Sequence, residues 1–151
     1  MTELNGPLYI ALILGIAAVW TDLRSRTIPN WIPLAALAGG LAWHGSTGGW
    51  PGLGASAVGA AGGLLVFLVF FLLGGMGGGD VKLMGGFGAL LGYRSILAAA
   101  FWVAVAGGLL ALTVVAVQKI RAGGKDKPPE AHIPYAPAIA LGVLIVLLGK
   151  A

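Results

Sequence analysis

Apolar residues gather into six blocks, over 7–21, 31–43, 56–76, 81–93, 95–117 and 133–149, separated by polar or glycine- and proline-rich breaks. The third and fifth are long enough to cross a bilayer core of ~30 Å at ~1.5 Å per residue. The second and fourth are shorter, and either alone could be a re-entrant or interfacial piece. The pattern predicts an all-α, polytopic membrane bundle of about six transmembrane helices. It reads as a single integral membrane domain over 1–151, with no internal repeat and no separate soluble unit.

Composition points the same way. The chain is 58% hydrophobic and 9% charged, with a mean hydropathy of +0.96, whereas soluble domains carry roughly 25% charged residues. So few polar groups cannot cover a water-facing surface, and lipid must replace water over most of it. The 27 glycines fit this, because small residues let helix backbones approach closely in lipid. The N-terminus, Met-Thr-Glu-Leu-Asn, is acidic, which speaks against a cleavable secretory leader and for a retained first helix.

Lysines and arginines set the expected orientation. Arg24 and Arg26 follow the first block, Lys82 follows the third, and Lys119, Arg121, Lys125 and Lys127 follow the fifth; residues 44–55 contain neither type. With six crossings these groups share one side, which the positive-inside rule makes cytoplasmic, and both termini lie outside. The basic residues are expected to meet anionic lipid headgroups rather than nucleic acid. Trp31, Trp43, Trp50 and Tyr93 fit interfacial anchoring.

The absence of cysteine excludes disulfides, thiolate metal sites and thiol nucleophiles, and two histidines, His44 and His132, are too few for a histidine cage. No metal and no cofactor are expected. Of five acidic residues, Glu3, Asp126 and Glu130 lie in hydrophilic stretches. Asp22 and Asp80 instead close the first and third blocks, where a carboxylate beside hydrocarbon is costly and is by default a functional candidate. Two carboxylates within about 3 Å share one proton, so that one serves as general base and the other as general acid. That chemistry hydrolyses an amide without metal, thiol or serine. Each also has a structural reading: Asp22 could pair with Arg24 or Arg26 or cap the next helix, and Asp80 could cap the fourth helix beside Lys82. The run Gly77-Gly78-Gly79 before Asp80 removes side chains from the approach to the acid, permitting unusual dihedrals and close contact with another chain. Pro29 and Asn30 form a turn and helix-entry signal that positions Asp22.

Three stretches together resemble the type IV prepilin peptidase family. The segment DLRSRTIPN, 22–30, is similar to that around the family's first catalytic aspartate, and GGGDVKLMGG, 77–86, to that around the second. IPYAPAIALG, 133–142, resembles the proline motif that opens the family's last helix. The resemblance implies a GxGD-type aspartyl protease architecture, with Asp22 and Asp80 catalytic and Gly77 and Gly79 structural. Lys82 also matches, to bind Asp80, backbone or lipid phosphate. It implies an aspartic endopeptidase in the bacterial inner membrane, its site toward the cytoplasm. The substrate would be a prepilin or pilin-like protein, cut after a glycine that precedes an apolar helix. Larger relatives carry a cysteine-bearing domain, and many N-methylate the trimmed pilin. This cysteine-free chain looks like the short, peptidase-only form of Flp-type or tight-adherence pilus systems and is expected not to methylate. Presenilin-like intramembrane proteases share the Gly-x-Gly-Asp element, a similarity of mechanism. The alternatives are a non-enzymatic membrane assembly subunit and a small proton-coupled carrier. Oligomeric state is not readable from the sequence.

Overall fold

A computed structural model describes residues 5–121 and 134–150. Glu3, Asp126, Glu130, His132, Lys125 and Lys127 therefore lie outside the described residues. Within them the chain forms five α-helices: α1 (Asn5–Ser25), α2 (Trp31–Leu72), α3 (Gly78–Leu91), α4 (Ile96–Arg121) and α5 (Ala136–Leu148), with a 3-10 turn at Tyr93–Ser95 before α4. Three helical stretches, Gly6–Ser25, Trp31–Leu72 and Tyr93–Ile120, are long and apolar enough to cross a membrane. The protein is a multi-pass membrane protein, but the expected six-helix, GxGD-type architecture is corrected to five helices with three such spans among the described residues.

The physical reasons are local. The second and third apolar blocks form the two arms of α2, joined through a kink at Gly49, whose φ of 57° and ψ of −143° are non-helical. Pro51 follows this break, in the first turn of the second arm, where a missing N–H costs nothing. A straight 42-residue helix would be about 63 Å long. Instead the arms before and after Gly49 fold against the same helix. Gly40 of the first arm lies against the Ala89 backbone, and Ser56 Oγ of the second donates to the Ala89 carbonyl at 2.9 Å.

The fourth block is α3, and its 14 residues rise only about 21 Å. Apart from Lys82, every residue from Asp80 to Leu91 is buried. Its apolarity serves protein packing, with α2 on two sides: Gly86 abuts the Pro33 carbonyl, Gly59 and Gly88 abut each other's carbonyls, and Gly63 abuts Met84. Backbone-to-backbone approach of this kind replaces the hydrophobic drive that lipid does not supply between helices. Phe87, Leu83, Met84 and Leu90 complete the core with Ile32 of α2 and Ile139 and Val143 of α5.

The C-terminal end of α3 is fully capped. Its last four carbonyls would have no partner within the helix. Gly88 accepts from the Gly92 N–H at 2.9 Å, Ala89 from Ser56, Leu90 from His44 Nε2 at 3.0 Å and Leu91 from Lys150 Nζ at 3.2 Å. Donors from both arms of α2 and from the turn after α5 thus fix the helix that carries Asp80 at its other end.

Candidate active site

Asp22 lies in the last turn of α1 and Asp80 in the first turn of α3, 5% and 7% exposed. Buried carboxylates need hydrogen bonds, and both find them at helix N-termini. Asp22 Oδ2 accepts from the Ala136 N–H, at the start of α5, at 3.3 Å. Asp80 Oδ2 accepts from the Gly77 N–H at 3.2 Å, while the Asp80 N–H donates to the Gly77 carbonyl at 3.1 Å. Each acid sits where exposed N–H groups and the helix dipole favour negative charge. The helix-capping role that the sequence allowed for Asp80 is therefore real. Asp22 also caps a helix, but one 114 residues further along the chain rather than the next.

These two carboxylates line one cleft of about 270 Å³. Its other walls are Arg26, Thr27, Ile28 and Asn30 from the α1–α2 connection, Gly77, Gly78 and Gly79 before the acid, and Lys82. Two acids and two cations thus line one space, together with the apolar side chain of Ile28. Among the described residues no three His, Cys, Asp or Glu side chains come together in a cluster able to hold a metal.

The glycines act by making room. Gly77 has an ordinary extended conformation, φ −80° and ψ 152°, so the expected unusual dihedral is absent there; the left-handed glycine nearby is Gly74, φ 76°. A side chain on Gly77 would stand 3.3 Å from Asp80 Oδ2, and one on Gly79 would stand 3.3 Å from Ile28. Both would crowd the acid or the wall facing it. Pro29 is half-buried outside the cleft lining and accepts from the Ile32 N–H at 3.1 Å. Asn30 precedes α2 without capping it through its side chain. Its Oδ1 instead accepts from Lys82 Nζ at 3.1 Å, so the lysine ties the first turn of α3 to the start of α2.

Sequence reasoning named Arg26 only as a possible partner of Asp22 and missed two further contributors. Arg26 lines the cleft with a left-handed backbone, φ 53°, closing α1 through its N–H to the Asp22 carbonyl at 2.9 Å. Ile28 packs toward Gly79. The α5 N-terminus supplies the amide that holds Asp22, and its only sequence signal was the proline pair at 134 and 137. His44 belongs to the other end of α3 and takes no part in the cleft.

Comparison with known proteins adds identity to this geometry. The model of the type IV leader peptidase family matches residues 9–112, a stretch that includes both acids. The prepilin leader peptidase/N-methyltransferase of Bacillus subtilis (strain 168) is 31% identical over 151 residues, covering 93% of this chain and 53% of that protein. The protein of the same description from Aeromonas hydrophila is 31% identical over 140 residues, covering 88% of this chain and 46% of its own length. The chain thus spans about half the length of the curated relatives it matches. No solved structure matches it. On the family match and these relatives, the chain belongs to the type IV leader peptidase family.

Proposed function

We propose that the protein is a membrane-embedded aspartic endopeptidase that removes the short leader of type IV prepilins or pilin-like proteins, with Asp22 and Asp80 as its catalytic pair. The observation that carries this reading is that two buried carboxylates from separate helices line a single cleft. In the proposed reaction the ionised acid takes a proton from water as it attacks the scissile carbonyl. The protonated acid donates to the carbonyl oxygen, and the proton then passes to the leaving amine. A carboxylate accepts hydrogen bonds at two oxygens, so an amide on Oδ2 orients each acid without exhausting its acceptor capacity.

The basic residues support a cytoplasmic site. Arg24, Arg26 and Lys82 lie at the cleft end, as does the C-terminal end of α4, where Lys119 stands. At the other end are Arg94 and Lys150. By the positive-inside rule, the cleft faces the cytoplasm, where a basic leader remains after synthesis.

The rival with an observation of its own is a non-enzymatic assembly subunit whose aspartates only hold helix ends, since both accept helix N-terminal amides. A carrier finds less support, because the two buried acids sit at one end of the bundle rather than strung between its faces. Asn separates peptidase from scaffold: it keeps a capping oxygen but neither donates nor takes up a proton. Purified protein in lipid vesicles should cut a model prepilin after its glycine, read by sequencing the new N-terminus. Asp22→Asn and Asp80→Asn should stay folded and each lose about a thousandfold or more in rate, within the range assigned to acid–base catalysis. Normal cleavage by either variant would overturn the catalytic pair, and absence of cleavage by the unaltered protein would favour the scaffold reading.

A further inference from the structure

Apolar grooves open between α1 and α5, past Ile16, and between the end of α2 and α4, past Gly108. Another, of about 350 Å³, lies between the two arms of α2 with α3 as its floor. Among the described residues, the first two share no lining residue with the acid cleft. The last shares Asn30 and Lys82 with it, the pair joined by the hydrogen bond from Lys82 Nζ to Asn30 Oδ1. Groove and cleft therefore meet at one bonded pair, two residues along α3 from Asp80.

This groove has an apolar body and a polar end. Leu34 and Leu37 wall it on the first arm and Leu64 on the second, while Gly85 lies in its floor. Leu34 and Leu64 are exposed, so the walls run out into apolar surface that meets lipid. Lys82 provides a separate observation. It is the one exposed residue between Asp80 and Leu91, on a helix otherwise enclosed by protein. Its ammonium has three donors and, among the described residues, gives one to Asn30, so two remain at the mouth of the cleft. A chain passing from groove to cleft brings carbonyls that need such donors once they leave water. A lipid phosphate would also meet Lys82, but it would then face two carboxylates. A peptide backbone offers carbonyls to the ammonium and N–H groups to the acids.

We propose that the groove between the arms of α2 seats the apolar helix of the substrate protein, and that Lys82 holds a backbone carbonyl where that helix gives way to the leader in the cleft. This rests on the peptidase reading above and names the route by which its substrate docks. The occupant is one apolar α-helix, running from the cleft into the membrane beside the first arm of α2. Lipid, or a helix docked in either other groove, is an outcome of the test.

The experiment uses the full chain in phosphatidylethanolamine–phosphatidylglycerol vesicles, with a synthetic substrate of a lysine-bearing leader, one glycine and an apolar helix of about 20 residues. A photoreactive residue replaces Leu34, Leu37, Ile16 or Gly108 in turn, in the Asp80→Asn background so that the substrate stays intact. The expected result is substrate adducts from positions 34 and 37, mapped by mass spectrometry to the first turns of the apolar helix, and none from 16 or 108. The adduct from 37 should fall about one turn further along the substrate helix than that from 34. In parallel, Leu34→Trp, which fills the groove, and Lys82→Met should each weaken substrate binding about tenfold or more, while Ile16→Trp leaves it unchanged. Adducts from 16 or 108 instead of 34 and 37, a reversed order along the helix, lipid adducts alone, or undiminished binding by Leu34→Trp or Lys82→Met would overturn the proposal. Adduct formation needs no hydrolysis. If substrate crosslinks through 34 and 37 but the unaltered chain never cleaves it, the peptidase reading alone is overturned. Cleavage together with crosslinks only through 16 or 108 would overturn the groove alone.

Discussion

Replacing Gly40 by alanine tests whether glycine-mediated contact holds the helix that carries Asp80. A Cβ at this position would stand 2.5 Å from the Ala89 carbonyl carbon, 2.7 Å from its oxygen and 2.7 Å from the Leu90 nitrogen. All three are backbone atoms, so no rotamer change relieves the clash, and α2 must move about 1 Å off α3 to restore ordinary contact near 3.5 Å. Overpacking of this kind costs about 1–3 kcal/mol. The same movement strains the bond from His44, one turn further along α2, to the Leu90 carbonyl at 3.0 Å, worth about 1 kcal/mol. Against this, alanine is favoured over glycine inside a helix by about 1 kcal/mol. The net expectation is a loss of about 2 kcal/mol. Gly54→Ala is the control: it lies in the same helix with nothing within 4 Å, and it should gain up to about 1 kcal/mol. Denaturant titration in mixed micelles should therefore separate the two variants by about 3 kcal/mol, or about two decades in folding constant. Equal stability of the two would refute the claim that close backbone contact at Gly40 holds α3.

Three further outcomes follow from the same geometry. Ser56→Ala leaves the buried Ala89 carbonyl without its donor and should cost about 1–3 kcal/mol in the same titration. Arg26→Gly removes a side chain from a left-handed backbone position and should raise stability by about 1 kcal/mol, while changing the charge of the cleft. Asn30→Ala and Lys82→Met break the same hydrogen bond. A double-mutant cycle on cleavage rate should give a coupling of about 1 kcal/mol, and strict additivity would show that the bond has no part in positioning Asp80.

What the sequence made legible, and what it did not, divides along physical lines. Asp22 and Asp80 stood out because a carboxylate at the end of an apolar block is expensive, and that cost is a local property. Helical character was legible for the same reason. The helix count was not, because apolarity reads the same whether a segment faces lipid or is enclosed by protein, as α3 is. The stretch 44–55 read as a break between two apolar blocks, yet only Gly49 departs from helical geometry there. Long-range partners were beyond reach as well. Nothing near Asp22 announces that it holds the first amide of α5, and nothing near Lys82 announces Asn30. The glycines before Asp80 were recognised, but of the two uses open to glycine, close approach and unusual dihedrals, only the coordinates show that Gly77 and Gly79 serve the first.

The account depends on the end of α1 and the start of α3 facing one another across a single cleft. Because the chain has no cysteine, the double variant Asp22→Cys/Asp80→Cys carries its only two thiols. Treatment of that variant in vesicles with a short bis-thiosulfonate linker, followed by mass spectrometry, measures their proximity directly. The account predicts one intramolecular bridge per chain between residues 22 and 80. Two separately modified thiols, or bridges only between different molecules, would contradict it.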